Sequence, residues 1–381
     1  MRADPDATDM LALRVPHSSP QQVVDIASRL AGCPVAAYTI DLDGSCAIRL
    51  AGDEERFPSR INAPLGVGPE LPLESLPALR SFVSDLLGDG VVVAMVVRDR
   101  IMGFLVARGQ PAQDLEPFAQ QAGLALEVAS GYTDAIHAVR RRKQIQPAAE
   151  IQQNLLPPRL AQVAGAKLAG GVLPGYDVGG DLFDYASNIE GLWLVVADVS
   201  GKGNAAAALA SLALGALRAG RRGYVGLEST AQTVHESIRD ADDSGRFMTA
   251  VIALWEPQRH QLRWVNCGHP SPLLLRADGR LEELEDGRTY PLGLFEAQRD
   301  FQVAQATFAP GDRLILYSDG ISERRRDDGS LFGPDGIHRV LSDNADASAA
   351  IIARALQDAI IGAASSPLRD DATLLVVTAD K

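Results

Sequence analysis

A chain of 381 residues, 46% hydrophobic and 22% charged, has enough material for two domains with substantial cores. Its 49 acidic and 36 basic residues give a formal charge of −13, which speaks against nucleic acid as a partner and suits a carboxylate-lined cation site. No run approaches membrane-spanning length, acids and prolines stand where a signal peptide needs an apolar stretch, and Cys33, Cys46 and Cys267 lack metal-ligand spacing. The expected setting is a reducing cytoplasm, with no membrane contact.

In chain order, a tail (1–17) leads into a mixed region (18–113) with a helix over Gln21–Leu30 and weak strands at Val35–Ile40 and Cys46–Leu50. The proline-rich stretch from Pro58 to Pro77 reads as loop. Val91–Val97 and Ile101–Ala107 flank the charged turn Arg98-Asp99-Arg100 and read as a hairpin. From Asp114 onward, Leu115, Phe118, Ala122, Ala125, Ala129, Tyr132, Ile136 and Val139 fall in alternating steps of three and four. That spacing is the seam of a long helix or a parallel helix pair, so a homodimer is expected. Leu124, Leu126 and Val128 make a second face suited to packing back on the same domain. The run Arg140-Arg141-Arg142-Lys143 reads as a solvated basic turn, and Pro147 breaks or kinks the helix. A short helix resumes over Glu150–Leu156 and stops at Pro157-Pro158, making 114–156 a helical linker and switch segment.

Residues 157–381 read as one larger domain. Strands are expected at Lys167–Leu173, Leu192–Asp198, Thr249–Trp255, Leu262–Asn266, Pro272–Arg276, Phe301–Ala306, Arg313–Ser318 and Thr373–Thr378. Helices are expected at Asn204–Arg221, Gly226–Asp242 and Asp346–Ile361. Many strands with a few long helices imply two packed sheets with the helices outside.

The chemistry lies in aspartates at strand ends and glycine turns. Asp181 and Asp184 sit in Gly179-Gly180-Asp181-Leu182-Phe183-Asp184, and Asp198 closes Val195-Val196-Ala197-Asp198. Asp319 precedes Gly320 after Tyr317-Ser318, and Asp370-Asp371 precedes Thr373–Val377. Singly, each is an ordinary turn acid; gathered by a fold, they make an all-oxygen site for hard divalent cations. Gly201-Lys202-Gly203 is no phosphate loop, because the long glycine loop and the Ser/Thr after the lysine are both missing. The Gly179–Phe183 stretch also fails as a diguanylate cyclase hairpin, since leucine replaces its second acid. Its glycines instead let the backbone approach a metal.

Taken in order, Glu150–Pro157, Val178–Asp184, Ala197–Gly203, Asn266-Cys267-Gly268-His269-Pro270, Pro291-Leu292-Gly293, Pro310-Gly311-Asp312, Tyr317–Gly320 with Glu323, Leu331-Phe332-Gly333 and Asp370–Thr373 resemble the SpoIIE/RsbU-type branch of the metal-dependent (PPM) serine/threonine protein phosphatases. The resemblance covers about residues 150–378. It implies an α+β fold, an αββα sandwich, with two Mn²⁺ or Mg²⁺ ions at one end. By motif match, Asp198 would bridge the ions, with the Val199 carbonyl, Asp181, Asp319 and Asp370 completing the site. Asp198 and Asp181 would be its catalytic core, and Asp184, Gly180, Gly320 and Asp371 its auxiliaries. The ions would activate a shared water for in-line attack on phosphorus, with no covalent protein intermediate.

Residues 18–135 resemble, more loosely, a GAF domain, an α/β sensor or dimer platform that can take a small ligand. The implied protein is a phosphatase acting on phosphoserine or phosphothreonine of a regulatory protein, a STAS-domain anti-anti-sigma factor, under control of that domain. The alternative is a catalytically silent sensor scaffold that only docks a partner, which the full set of acids disfavours. His269 is expected to be a packed hairpin histidine and Lys202 a solvated one. Ser318 stands where the family usually has threonine, and Arg324-Arg325-Arg326 is expected to be an exposed charge cluster.

Overall fold

The computed structural model describes residues 16–62, 66–88, 90–141, 144–173, 180–242, 244–294, 300–368 and 370–380. Most of the N-terminal tail, Arg142, Lys143, Val178 and Gly179 lie outside the described residues. The chain divides into two compact units, Met1–Gln144 and Ile145–Lys381. The expected linker 114–156 is therefore shared: helices Glu116–Ser130 and Ala135–Arg140 belong to the first unit and helix Pro147–Leu155 to the second.

In the first unit β1 (Val35–Ile40), β2 (Cys46–Ala51), β3 (Arg60–Asn62), β4 (Leu71–Pro72), β5 (Gly90–Val97) and β6 (Arg100–Arg108) form one sheet in the order β3-β2-β1-β6-β4, with β5 also on β6. The β5–β6 hairpin turns through Arg98 and Asp99 at φ 47° and 65°, a left-handed pair whose twist matches the flanking strands. Ala37, Val93, Met95 and Leu105 pack on one face against helices Ser19–Ala31 and Glu116–Ser130. On the other face Tyr38, Phe104 and Val106 meet Leu79 and Val83 of helix Leu76–Leu87.

Three expectations are corrected in this unit. The Pro58–Pro77 stretch is not all loop: it holds β3 and β4 and starts a helix whose exposed Phe82 and Leu86 blur its two-faced pattern. The presumed dimer seam is spent inside the unit, because Leu115, Phe118, Ala122, Ala125, Ala129 and Ile136 are buried in its core, while Leu124 and Val128 face outward with Tyr132. A helix lays its broadest apolar stripe on the nearest sheet. Arg140, expected in solvent, instead donates from Nε to Thr39 Oγ1 at 2.9 Å, and burial pushes its pKa down.

The second unit opens with Pro147 as the first residue of its helix. There the missing N–H is no loss, so the proline starts a helix rather than ending one. Its strands are β7 (Leu160–Val163), β8 (Ala166–Leu173), β9 (Leu182–Asn188), β10 (Gly191–Val199), β11 (Met248–Glu256), β12 (Gln261–Cys267), β13 (Leu273–Leu275), β14 (Leu281–Glu283), β15 (Arg288–Thr289), β16 (Ala304–Thr307), β17 (Arg313–Tyr317) and β18 (Ala372–Ala379). One sheet runs β15-β12-β11-β10-β9 with β16 on β12, and the other runs β14-β13-β17-β18-β8-β7. Leu194, Val196 and Val251 of the first meet Leu316, Leu375 and Val377 of the second between the sheets. Trp193, Val195 and Ala197 point the other way, onto helices Asn204–Arg222 and Leu227–Ala241. Helix Ala349–Gly362 lies on β8 and β18, which completes an αββα sandwich.

Candidate metal centre

Strand alternation decides which acids can meet. Along β10, Leu192, Leu194 and Val196 face the space between the sheets, so Asp198, in step with them, arrives at the mouth of that space. In β9, Phe183 belongs to the same inter-sheet core and Leu182 to the helix-facing one. Asp181 is in step with Phe183, and Asp184 with Leu182. Acids three residues apart on a strand therefore point to opposite faces.

The geometry bears this out for Asp181. It is buried at 3% exposure, lies close enough to Asp198 for that charge to raise its pKa, and accepts a hydrogen bond from Ser318 Oγ at 2.6 Å. Ser318 Oγ in turn accepts from the Thr373 N–H at 2.9 Å, so the ends of β17 and β18 hold the Asp181 carboxylate. Asp319 opens the short helix Asp319–Ser322, and Asp370 stands half-exposed with Lys202 Nζ 3.1 Å away. Lys202 is exposed, as expected, and adds this surface contact. Gly180 and Gly320 are required for closeness: a Cβ on Gly180 would meet the Val199 carbonyl oxygen at 2.3 Å, and one on Gly320 the Asp371 carbonyl oxygen at 1.8 Å.

Asp184 departs from its expected auxiliary place. It is buried on the helix face, paired to Arg218 Nη2 at 2.9 Å and Arg221 Nη1 at 3.0 Å. Arg218 also donates to the Leu155 carbonyl at 2.9 Å, so Asp184 anchors helix 204–222 and the end of helix 147–155. Gln152 is the residue that sequence reasoning missed. Its Nε2 donates to Asp371 Oδ2 at 2.8 Å and to the Asp181 carbonyl at 2.7 Å. Its burial on a short helix bounded by prolines, where glutamine would ordinarily be exposed, left no periodic signal.

The carboxylates are electrostatically uncomfortable as they stand. Burial, then the neighbouring Asp198 and Asp371, pushes the Asp181 pKa well up. Burial raises Asp198 to about 6, and burial with Glu323 and Asp370 raises Asp319. Such a cluster must hold protons or cations. Among the described residues, no three acidic, histidine or cysteine side chains close into a finished ion cage. The set is nonetheless all oxygen, as hard divalent cations require, and Gln152 Oε1 is left buried beside it without a hydrogen-bond partner. The residues fit Mn²⁺ or Mg²⁺.

Other expectations about single residues can now be settled. His269 is a packed histidine: its Nδ1 lies 2.8 Å from Thr249 Oγ1, its backbone N–H donates to Asn266 Oδ1, and burial lowers its pKa to about 3. An unfolded histidine titrates near 6.5, so the unfolded chain takes up that proton first. Its contribution to stability is present above about pH 6.5 and is lost as pH falls toward 3. Denaturant midpoints at pH 7 and pH 5 should therefore differ less in His269→Gln than in the unmodified chain; equal differences would clear His269 of the effect. The arginine run divides: Arg324 is buried and donates to the carbonyls of Ile360, Ala364, Ser366 and Pro367, whereas Arg325 is exposed.

Comparison with known proteins bears on the fold that carries these residues. The family model described as stage II sporulation protein E (SpoIIE) matches residues 189–380, just over half the chain. The chain belongs to the SpoIIE family. The SpoIIE match covers Asp198, Asp319, Asp370 and Asp371. Phosphoserine phosphatase RsbU of Bacillus subtilis is 24% identical over 237 residues, covering 62% of this chain and 70% of RsbU. Phosphoserine phosphatase RsbP of the same organism is 26% identical over 39% of this chain and 37% of RsbP. Among solved structures, the SiaA-PP2C domain of Pseudomonas aeruginosa superposes with TM-score 0.53 at 22% identity, covering 61% of this chain and 94% of that one. The RsbU and RsbW domains of Rv1364c from Mycobacterium tuberculosis give TM-score 0.50 at 26% identity, covering 57% of this chain and 60% of that one. SpoIIE membership and the PP2C-type fold fit the αββα sandwich built above. No helix among the described residues is long and apolar enough to cross a membrane.

Proposed function

We propose that this chain is a divalent-metal-dependent phosphatase of phosphoserine or phosphothreonine in a cytoplasmic regulatory protein, with a STAS-domain anti-anti-sigma factor as the substrate class. The observation that carries the reading is the buried Asp181 carboxylate, held by Ser318 Oγ at 2.6 Å beside Asp198, with Asp319 and Asp370 near enough to raise the Asp198 pKa. Asp198, Asp181, Asp319, Asp370 and the Val199 carbonyl are the groups that would hold two Mn²⁺ or Mg²⁺ ions. When bound, such ions act as Lewis acids toward phosphoryl oxygen and make a water acidic enough to serve as nucleophile. Ser318 fixes the orientation of Asp181, and Lys202 offsets the charge of Asp370. Incubating the full chain with a serine-phosphorylated STAS-domain protein should release phosphate, and the likeness to two phosphoserine phosphatases supports that choice of substrate. Absence of release from any phosphoprotein, with partner binding retained, would favour the silent scaffold.

The same reading assigns control of the site to the first unit, a GAF-like domain with room for a small ligand or a purely dimerising role, acting through helix 147–155. In place of the buried seam, Leu124, Val128 and Tyr132 are the face it offers to a second copy. Gln152 supports control at the helix, because one amide spans Asp371 and the Asp181 backbone. Removing a partner that orients metal-binding carboxylates typically costs 10- to 100-fold in metal affinity. Gln152→Ala should therefore shift the Mn²⁺ concentration for half-maximal activity upward by about that factor. A titration that overlays the unmodified chain would detach the helix from control.

A further inference from the structure

A cleft of about 410 Å³ opens beside Asp319 and Asp370 and is lined on its other side by the 323–329 loop with Ser366 and Leu368. Liquid water occupies about 30 Å³ per molecule, so the cleft has room for a stretch of polypeptide and not only a phosphoryl group. Its charges have separate duties. Asp319 and Asp370 belong to the candidate metal centre, and Glu323 faces Asp319. Asp327 is held by the N–H and hydroxyl of Ser365. Arg324 is consumed by four carbonyls, and Arg326 donates to the Leu331 and Phe332 carbonyls while stacking over the Phe332 ring.

Arg325 is different. It is exposed, lines the cleft, and among the described residues its guanidinium makes only a long 3.5 Å reach to the Gly329 carbonyl. The β-bridge of Arg325 with Leu331 and the neighbouring arginines fix its backbone, so a weakly held guanidinium stands on a fixed turn. Resting on the phosphatase reading, we propose that Arg325 is a specificity residue that pairs with an acidic side chain flanking the phosphoserine of the substrate segment. A guanidinium reads a carboxylate by two parallel hydrogen bonds, which an ammonium cannot reproduce.

The test uses the full chain and two synthetic phosphoserine peptides, one with glutamates beside the phosphoserine and one with alanines there. For the unmodified chain, kcat/KM should favour the acidic peptide, mainly through KM, and the preference should shrink as salt rises. One exposed ion pair is worth up to about fivefold, and reversing the charge adds repulsion to the loss. Arg325→Glu should therefore lower the acidic-to-alanine ratio on the order of tenfold, and Arg325→Lys should restore part of it. Fluorescence anisotropy of the same peptides on Asp198→Asn should show the same ratios without turnover, and Arg325→Glu in that background should remove them. An unchanged ratio in Arg325→Glu overturns the proposal, as does an equal loss on both peptides, which would assign Arg325 to the phosphoryl group. Turnover of neither peptide, nor of a small aryl phosphate, by the unmodified chain would instead overturn the phosphatase reading beneath it.

Discussion

Asp198→Asn is expected to lower phosphate release on the order of 10³-fold or more, because it removes a carboxylate that would hold the proposed cations at the phosphoryl group. The same substitution should leave thermal stability in chelator equal or higher. Asp198 is a partly buried acid whose pKa burial has already raised to about 6, and asparagine keeps its shape while relieving repulsion with Asp181. Loss of activity without loss of stability marks a group kept for chemistry at the expense of the fold. Paired melting curves and phosphate-release rates check it, and a variant that melts well below the unmodified chain would show that Asp198 is structural.

Asp184→Ala should do the opposite. Arg221 is buried beside it and Arg218 is partly so, and breaking a buried ion pair by deleting one partner costs about 3–5 kcal/mol. For a unit of this size that lowers the melting temperature by about 10 °C or more. The rate at low temperature should fall far less than in Asp198→Asn, and what falls should follow the loosened end of helix 147–155, which Arg218 also holds. An unchanged melting temperature with abolished turnover would return Asp184 to the metal centre. The two variants thus separate acids that lie in neighbouring strands.

The sandwich was legible because its strands are long and apolar and its helices are long and amphipathic, so the periods of two and 3.6 stand out. The acids at the ends of β10 and β17 and before β18 were legible because each borders an apolar run. Asp184 was misplaced although the signal was present: three residues after Asp181 on a strand means the opposite face. Gln152 and the buried Arg324 were not legible, since their meaning lies in partners more than 30 residues away in sequence. The helical seam was read correctly as apolar and wrongly as intermolecular, because periodicity shows that a face is covered and not what covers it. Helix 333–343, with a glycine and a proline in its first turn, was hidden by its own start signals.

The most direct measurement is phosphate release from a phosphoserine protein by the full chain, started in chelator and titrated with Mn²⁺. The account predicts no release in chelator, release that rises steeply with Mn²⁺ as more than one ion is required, and no recovery in Asp198→Asn at any Mn²⁺ concentration. Release that persists in chelator, or that Asp198→Asn supports at the rate of the unmodified chain, would contradict it.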